Sequence, residues 1–240
     1  MRTDWLARQD RLIGEPGTAR LTRARVAVVG LGGVGGAALE ALCRAGIGAL
    51  LLADCDVFDL TNLNRQILAT RRSVGRHKTE VARERVQEIN PECAATVCGA
   101  RLNADNLEPV FAFHPDFVLD AVDCVTAKLA LIEGCKARGI GVVSSMGTGN
   151  RLDASGFALG DIEDTAGCGC GLARVMRREL RRRGIAGVPV LYDRNPPLEP
   201  AAGARVPASV SFVPPVAGCL LAGYVVRALL AGEDRPGERG

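Results

Sequence analysis

Aromatic side chains are scarce in this sequence: one Trp, two Tyr and six Phe make up 4% of 240 residues. Any core must therefore be aliphatic. The 48% apolar content, mostly Val, Leu, Ala and Ile, is enough for a sizeable one and excludes low-complexity disorder over most of the length. The nine cysteines include no Cys-x-x-Cys pair, so a four-cysteine zinc site has no support. Several lie in apolar runs, as in Ala41-Leu-Cys43 and Gly218-Cys-Leu220, where a thiol behaves as a small hydrophobe. His77 and His114 are too far apart in sequence to suggest a ligand pair. The opening Met-Arg-Thr-Asp-Trp has no apolar leader, so export is not expected, the thiols are expected to stay reduced, and the cytoplasm is the expected compartment. The uncharged run Val210 to Val226 is interrupted by Pro214-Pro215, and Arg227 arrives before about 20 clean residues accumulate. It reads as a buried or subunit-facing helix with the prolines in its first turn, not as a membrane span. The net charge of +3 names no polyanionic partner, but Arg174 to Arg183 holds six arginines against one glutamate.

Length alone allows one large domain or two small ones. Arg25-Val-Ala-Val-Val-Gly30 reads as a buried strand, and Gly33 to Ala45 as a helix with Val34, Leu39, Leu42 and Cys43 at helical spacing. Further strands are expected at 49–53, 95–98, 117–120 and 141–145, with helices at 78–89 and 126–138. That alternation argues for a Rossmann-like, mostly parallel α/β sheet covered by helices on both faces. After Gly147 the rhythm changes. Short strands at Phe157 to Leu159, Val188 to Tyr192 and Ser209 to Val213 suggest an antiparallel extension of the same sheet. The expected organisation is one domain with a nucleotide-binding half, 1–147, and an extension, 148–231. Disorder is expected for Arg194 to Arg205 and for the tail from Gly232.

Gly30-Leu-Gly32-Gly33-Val-Gly35 matches G-x-G-x-x-G between strand and helix, where backbone amides approach phosphate at the positive helix terminus. Asp54 ends the next strand, placed to accept hydrogen bonds from ribose hydroxyls. This pattern alone does not separate a dinucleotide from ATP. The stretch that follows adds Asp56, the cationic fork of Arg65, and Asn62, Asn64 and Gln66 as neutral donors and acceptors. Lys78 opens the next helix with another positive charge. A triphosphate would use these groups, and a nicotinamide ring would gain nothing from them. Spacing alone also allows a solvated polar loop.

Taken together, the glycine motif, Asp54-Cys-Asp56, Asn62-Leu-Asn-Arg-Gln66, Lys78 and Asp120-Ala-Val-Asp123 resemble the adenylating superfamily of ubiquitin-activating and sulfur-carrier-activating enzymes. The resemblance implies binding of ATP with Mg and formation of an acyl-adenylate with loss of pyrophosphate. It carries Asp54 to the ribose, Asn62 and Arg65 to the phosphates and Gln66 to the loop that holds them. Lys78 is carried to phosphate neutralisation, and Asp123 to the magnesium or the adenylation centre. Arg8, in Ala-Arg-Gln-Asp-Arg-Leu-Ile-Gly14, matches the arginine that dimers of this superfamily insert into the partner's site.

The second half is similar to the branch that dehydrates threonylcarbamoyladenosine in tRNA. The similarity lies in Ser144-Ser-Met-Gly-Thr-Gly-Asn150, the arginine-rich Leu172 to Gly184 and Ser211-Phe-Val-Pro-Pro-Val-Ala-Gly218. That branch implies a homodimer, a tRNA substrate, a monovalent alkali cation, no zinc, and a cysteine desulfurase or sulfur-acceptor system as a possible protein partner. Arg174, Arg177, Arg178, Arg181 and Arg182 form one basic helical face suited to RNA phosphates; a solvated charged helix is the plainer alternative. Cys170 lies where several relatives carry a reactive cysteine. Here, however, it precedes Gly171 instead of proline, and Cys168 is extra. An activator of a small sulfur-carrier or ubiquitin-like protein is the alternative function, weakened by the missing zinc cysteines. A nicotinamide oxidoreductase would leave Arg65 and Lys78 unexplained.

Overall fold

The structure, a computed structural model, describes residues 5–199 and 207–232. Seven strands form one sheet: β1 (Arg25–Val29), β2 (Ala49–Ala53), β3 (Ala94–Cys98), β4 (Phe117–Asp120), β5 (Gly141–Ser145), β6 (Phe157–Asp161) and β7 (Pro189–Asp193). Their order across the sheet is β3-β2-β1-β4-β5-β7-β6. The central strands are short apolar runs covered on both faces, with Val26, Val28, Leu50, Leu52 and Leu119 fully buried.

Helices supply that cover: α1 (Ala7–Leu21), α2 (Gly33–Arg44), α3 (Lys78–Ile89), α4 (Glu108–Phe111), α5 (Val125–Ala137), α6 (Gly171–Arg182) and α7 (Val213–Ala231). Two apolar, mainly aliphatic clusters result, one on each sheet face. Phe111, Ile132, Met176 and Leu180 lie in one, and Leu39, Leu42, Leu221 and Val225 in the other. After β3 the chain returns to the middle of the sheet, placing β4 beside β1. That reversal opens a crevice at the carboxyl ends of β1 and β4, where ligands bind in open α/β sheets.

Several expectations are refined or corrected. The predicted strands and helices of the first half are present within a residue or so of their expected ends. In the extension only β6 against β7 is antiparallel; β7 itself runs parallel to β5. Ser209 to Val213 is no strand. Residues 207–210 are irregular, 211–212 form a bend, and α7 starts at Val213 with Pro214 and Pro215 in its first turn. Prolines have no amide to give a sheet ladder and suit a helix start. The sequence reading had no element for α1, whose Gly14 breaks helical geometry at φ 75° and ψ 160°.

The described part of the segment expected to be disordered is tied down. Arg194 donates from its amide to Gly156, and Leu198 to Asn150. Residues 200–206 and the tail beyond Gly232 lie outside the described residues. α7 has the length and apolarity of a membrane span, yet Val213, Ala217, Leu221 and Val225 on one side of it are fully buried in the core. Phe212 just before it, and Val216, Cys219 and Leu220 on its other side, are exposed, so Cys219 is not the core thiol its apolar surroundings suggested. Cys43, Cys93 and Cys135 are core thiols; burial pushes the first up to about 11 and the other two to about 12.

Candidate active site

A cleft of about 660 Å³ opens at the sheet's switch point. Its floor is the glycine turn between β1 and α2. Gly30 has φ +90°, and a Cβ there would stand 2.7 Å from the carbonyl oxygen of Ala121. A Cβ on Gly35 would lie 1.7 Å from the Gly30 carbonyl oxygen, so no larger residue fits while the turn keeps its shape. Gly30, Gly32 and Gly33 line the cleft, whereas Gly35 is buried behind it as packing.

Asp54 braces this floor. Its Oδ2 accepts from the Leu31 amide at 2.7 Å and its Oδ1 from the Asp56 amide at 2.9 Å. Lys78, on the first turn of α3, is almost fully buried; its Nζ lies 3.0 Å from Asp56 Oδ2 and 3.8 Å from Asp54 Oδ2. The Lys78 hydrogen bond holds Asp56 below the ordinary carboxylate range. Asp54, Cys55 and Asp56 bring ligand-type atoms within 4.8 Å of one another, but the Lys78 ammonium is the cation seated against both carboxylates.

The polar stretch is a 3-10 turn at Leu60–Asn62 that continues into Arg65 and Gln66. Asp59 caps it, accepting from the Thr61 amide, while Asn62 Oδ1 accepts from the Asp59 amide. Arg65 Nη1 donates to the Thr61 carbonyl at 2.9 Å and to Asn64 Oδ1 at 2.8 Å, which fixes one limb of the guanidinium. Asn64 is held away from the cleft: its Nδ2 donates to the Ser209 carbonyl, tying Arg65 to the lead-in of α7. Gln66 lines the cleft, is 7% exposed, and has an Oε1 without a partner. Such a buried acceptor is costly unless a ligand or its hydration shell satisfies it.

Asp123 stands exposed on the opposite wall, just after β4. Beside it Cys124 caps α5, and its bond to the Thr126 hydroxyl, aided by helix amides, lowers its pKa. The cleft thus unites Asp54, Asp56, Asn62, Arg65, Gln66, Lys78 and Asp123. Sequence reasoning missed Asp59 and the wall Ala100-Arg101-Leu102. The signal was available, because a loop at the carboxyl end of a strand next to the switch point faces the crevice.

Arg8 is exposed on the first turn of α1 and is not among the cleft-lining residues. Cys170 also lies outside the cleft lining; it caps α6, its Sγ accepting from the Ala173 amide at 3.5 Å. On α6, Ala173, Met176 and Leu180 face the core and the arginines face outward. That face is partly self-neutralised. Arg181 pairs with Glu163, Arg178 and Arg182 with Glu179, and Arg183 with Glu133, while Arg177 donates to the Thr165 hydroxyl. Arg178, Arg181 and Arg182 nonetheless keep 65–71% of their side chains exposed, so these pairs are the weak, water-screened kind.

The sequence matches the ThiF family over residues 6–238. The chain belongs to that family. Within it, this ThiF chain is 36% identical over 240 residues to the tRNA threonylcarbamoyladenosine dehydratase of Bacillus subtilis, covering 93% of this chain and 94% of that one. The crystal structure of the Escherichia coli tRNA N6-threonylcarbamoyladenosine dehydratase TcdA in complex with ATP is similar at a TM-score of 0.88 and 32% identity. That match spans 97% of this ThiF chain and 96% of TcdA. The E. coli molybdopterin-synthase adenylyltransferase is 42% identical, but over 128 residues, 53% of this chain and 51% of its own.

Proposed function

We propose that this protein is an ATP-dependent tRNA threonylcarbamoyladenosine dehydratase, which adenylates the carboxylate of the modified base and closes it to the cyclic form. One observation carries the choice of substrate: similarity to the dehydratases runs through the C-terminal half, while similarity to the sulfur-carrier activator stops at half the chain. The absence of Cys-x-x-Cys pairs agrees.

The cleft residues fit a nucleotide with its metal. The glycine turn offers amides for phosphate, Asp54 an acceptor for ribose, and buried Gln66 Oε1 an acceptor still to be filled. Asp123 would hold the Mg²⁺, whose bound charge would offset that of the phosphates. The substrate carboxylate attacks the α-phosphorus and the bond to the β-phosphate oxygen breaks, releasing pyrophosphate. Arg65 and Lys78 stabilise the charge that gathers on the departing group. Lys78 exchanges part of its pairing with Asp56 for phosphate oxygen. A nucleophile in the same side chain then attacks the activated carbonyl and expels AMP. The water lost from the base is accounted for by the cleavage of ATP to AMP and pyrophosphate. No acid–base triad or thiol is required, so Cys170 remains outside this scheme.

The arginine face of α6 receives tRNA phosphates, which displace Glu163 and Glu179 from their surface pairs. We place the enzyme in the cytoplasm as a ligase-type homodimer. The exposed apolar side of α7 is its contact, and Arg8, absent from its own cleft, reaches the partner's. Sedimentation at micromolar concentration tests this; a monomer that retains full activity refutes it. A monovalent cation requirement belongs to the same reading and is checked by replacing potassium and sodium with choline. A cysteine desulfurase or sulfur-acceptor protein would dock without entering the chemistry, since ring closure uses no sulfur.

The deciding experiment measures AMP release from ATP with and without tRNA bearing threonylcarbamoyladenosine, followed by mass analysis of the nucleoside. AMP release that depends on this tRNA, with loss of one water from the base, is the expected result. AMP release that depends instead on a small carrier protein would overturn it in favour of the sulfur-carrier reading.

A further inference from the structure

β4 ends in Asp120, which is fully buried together with Lys128 of α5 and Ser144 of β5. Asp120 Oδ2 accepts from the Ser144 hydroxyl at 2.6 Å and from Lys128 Nζ at 2.9 Å; Lys128 Nζ also donates to Ser144 Oγ at 3.1 Å. The other carboxylate oxygen turns outward and accepts from the Val122 amide at 3.1 Å. An ion pair removed this far from water gives little or no net stability over apolar side chains of the same volume. Its value here lies in what it holds.

The backbone of Ala121 and Val122 is held from three directions. Asp120 takes the Val122 amide, the Ala121 amide donates to the Val29 carbonyl at 2.8 Å, and the Ala121 carbonyl abuts the bare α-carbon of Gly30. Asp123 is the next residue. A shift of Asp120 would thus move the carboxylate on one wall of the cleft and disturb the glycine turn of its floor together.

We infer that Lys128 and Ser144, acting through Asp120, are positioning residues that set Asp123 in register with the glycine turn. The triad ties three elements, β4, β5 and α5, together behind the cleft wall formed by Ala121 to Cys124, and charge makes its geometry directional where apolar packing would allow sliding. The inference rests on the reading of Asp123 as a residue serving adenylation.

The test uses the full chain with Asp120→Leu, Lys128→Met and Ser144→Ala combined, which leaves none of the three polar partners buried alone. Folding is checked by circular dichroism, and Asp123→Ala is run in parallel. The expected result is a folded variant whose kcat for tRNA-dependent AMP release falls at least ~30-fold while KM for ATP moves less than ~3-fold. Amide hydrogen exchange across residues 121–124 should quicken. A folded triple variant with wild-type kcat and exchange, beside an inactive Asp123→Ala, overturns the inference. Should Asp123→Ala keep full activity, the reading of Asp123 fails, and exchange at 121–124 alone decides the clamp: faster supports it, unchanged refutes it. If the triple variant does not fold, Ser144→Ala decides, with faster exchange and a kcat loss of about 3–10-fold at unchanged KM expected, and wild-type values refuting the inference.

Discussion

From β1 to β5 the chain alternates strand and helix, and each strand is parallel to its neighbour. Beyond Ser145 a single parallel strand, one antiparallel partner and long irregular connections take over. The first region is held mainly by repeated burial of short aliphatic runs, with the Asp120–Lys128–Ser144 triad as its buried polar exception. The second depends on particular polar anchors. Arg151, 6% exposed, pairs with Asp193 at 3.0 Å and donates to the Asn195 carbonyl. Asn150 takes the Leu198 amide on its carbonyl and exchanges bonds with Ala208, so the chain leaves and rejoins at one residue. A repetitive region tolerates change wherever apolar volume is kept, whereas an anchored one fails at single residues. In the proposed scheme the two also divide the labour, nucleotide chemistry in the first and tRNA recognition in the second.

The sharpest way to break that division is Arg65→Ala, which should cut adenylation by roughly 10²–10³-fold with the fold and tRNA binding retained. Normal pyrophosphate release would remove Arg65 from the phosphates. Gly35→Ala comes next. The new methyl meets the Gly30 carbonyl, so stability should drop by about 1–3 kcal/mol, with nucleotide binding lost; an unchanged melting curve would contradict the packing described. Replacing Arg177, Arg181 and Arg182 together with Ala tests the other half. Binding of tRNA should weaken about tenfold, and its log–log salt slope should flatten by roughly 0.7–0.9 for each phosphate no longer neutralised, with ATP affinity unchanged. Equal binding at two salt concentrations would restore the solvated-helix alternative. The smallest effect is expected from Cys170→Ala, less than ~3-fold on kcat, because the thiol stands outside the cleft lining. A drop as large as that of Arg65→Ala would put a thiol into the mechanism.

The first half was legible because its signals are local. Apolar runs of five residues, a glycine fingerprint and an acid at the next strand end each carry their meaning within a short window. Asn64 shows the limit. Beside Arg65 it reads as another phosphate group, but it spends its amide on Ser209, 145 residues away. Ser209 to Val213 had strand-like composition, yet the Ser209 carbonyl is taken by Asn64 and two prolines after Val213 open a helix instead. α1 escaped notice because its hydrophobic pattern is weak and Gly14 and Pro16 interrupt it. Nothing in the sequence around Lys128 marks it as a core residue. Only the closeness of Asp120 and Ser144 makes it one.

Sequence alone determined the alternating α/β class, the glycine turn and most of the polar residues that line the cleft, since each follows from periodicity or from chemistry confined to adjacent residues. Tertiary structure decided which polar groups face the cleft and which hold it in place. Lys78 lies against Asp56, Asn64 is drawn off to Ser209, Arg101 is brought into the cleft wall, and Lys128 is sealed against Asp120. The physical reason is that a hydrogen bond or ion pair depends on distances and burial set by packing of the whole chain, and residue order leaves these open.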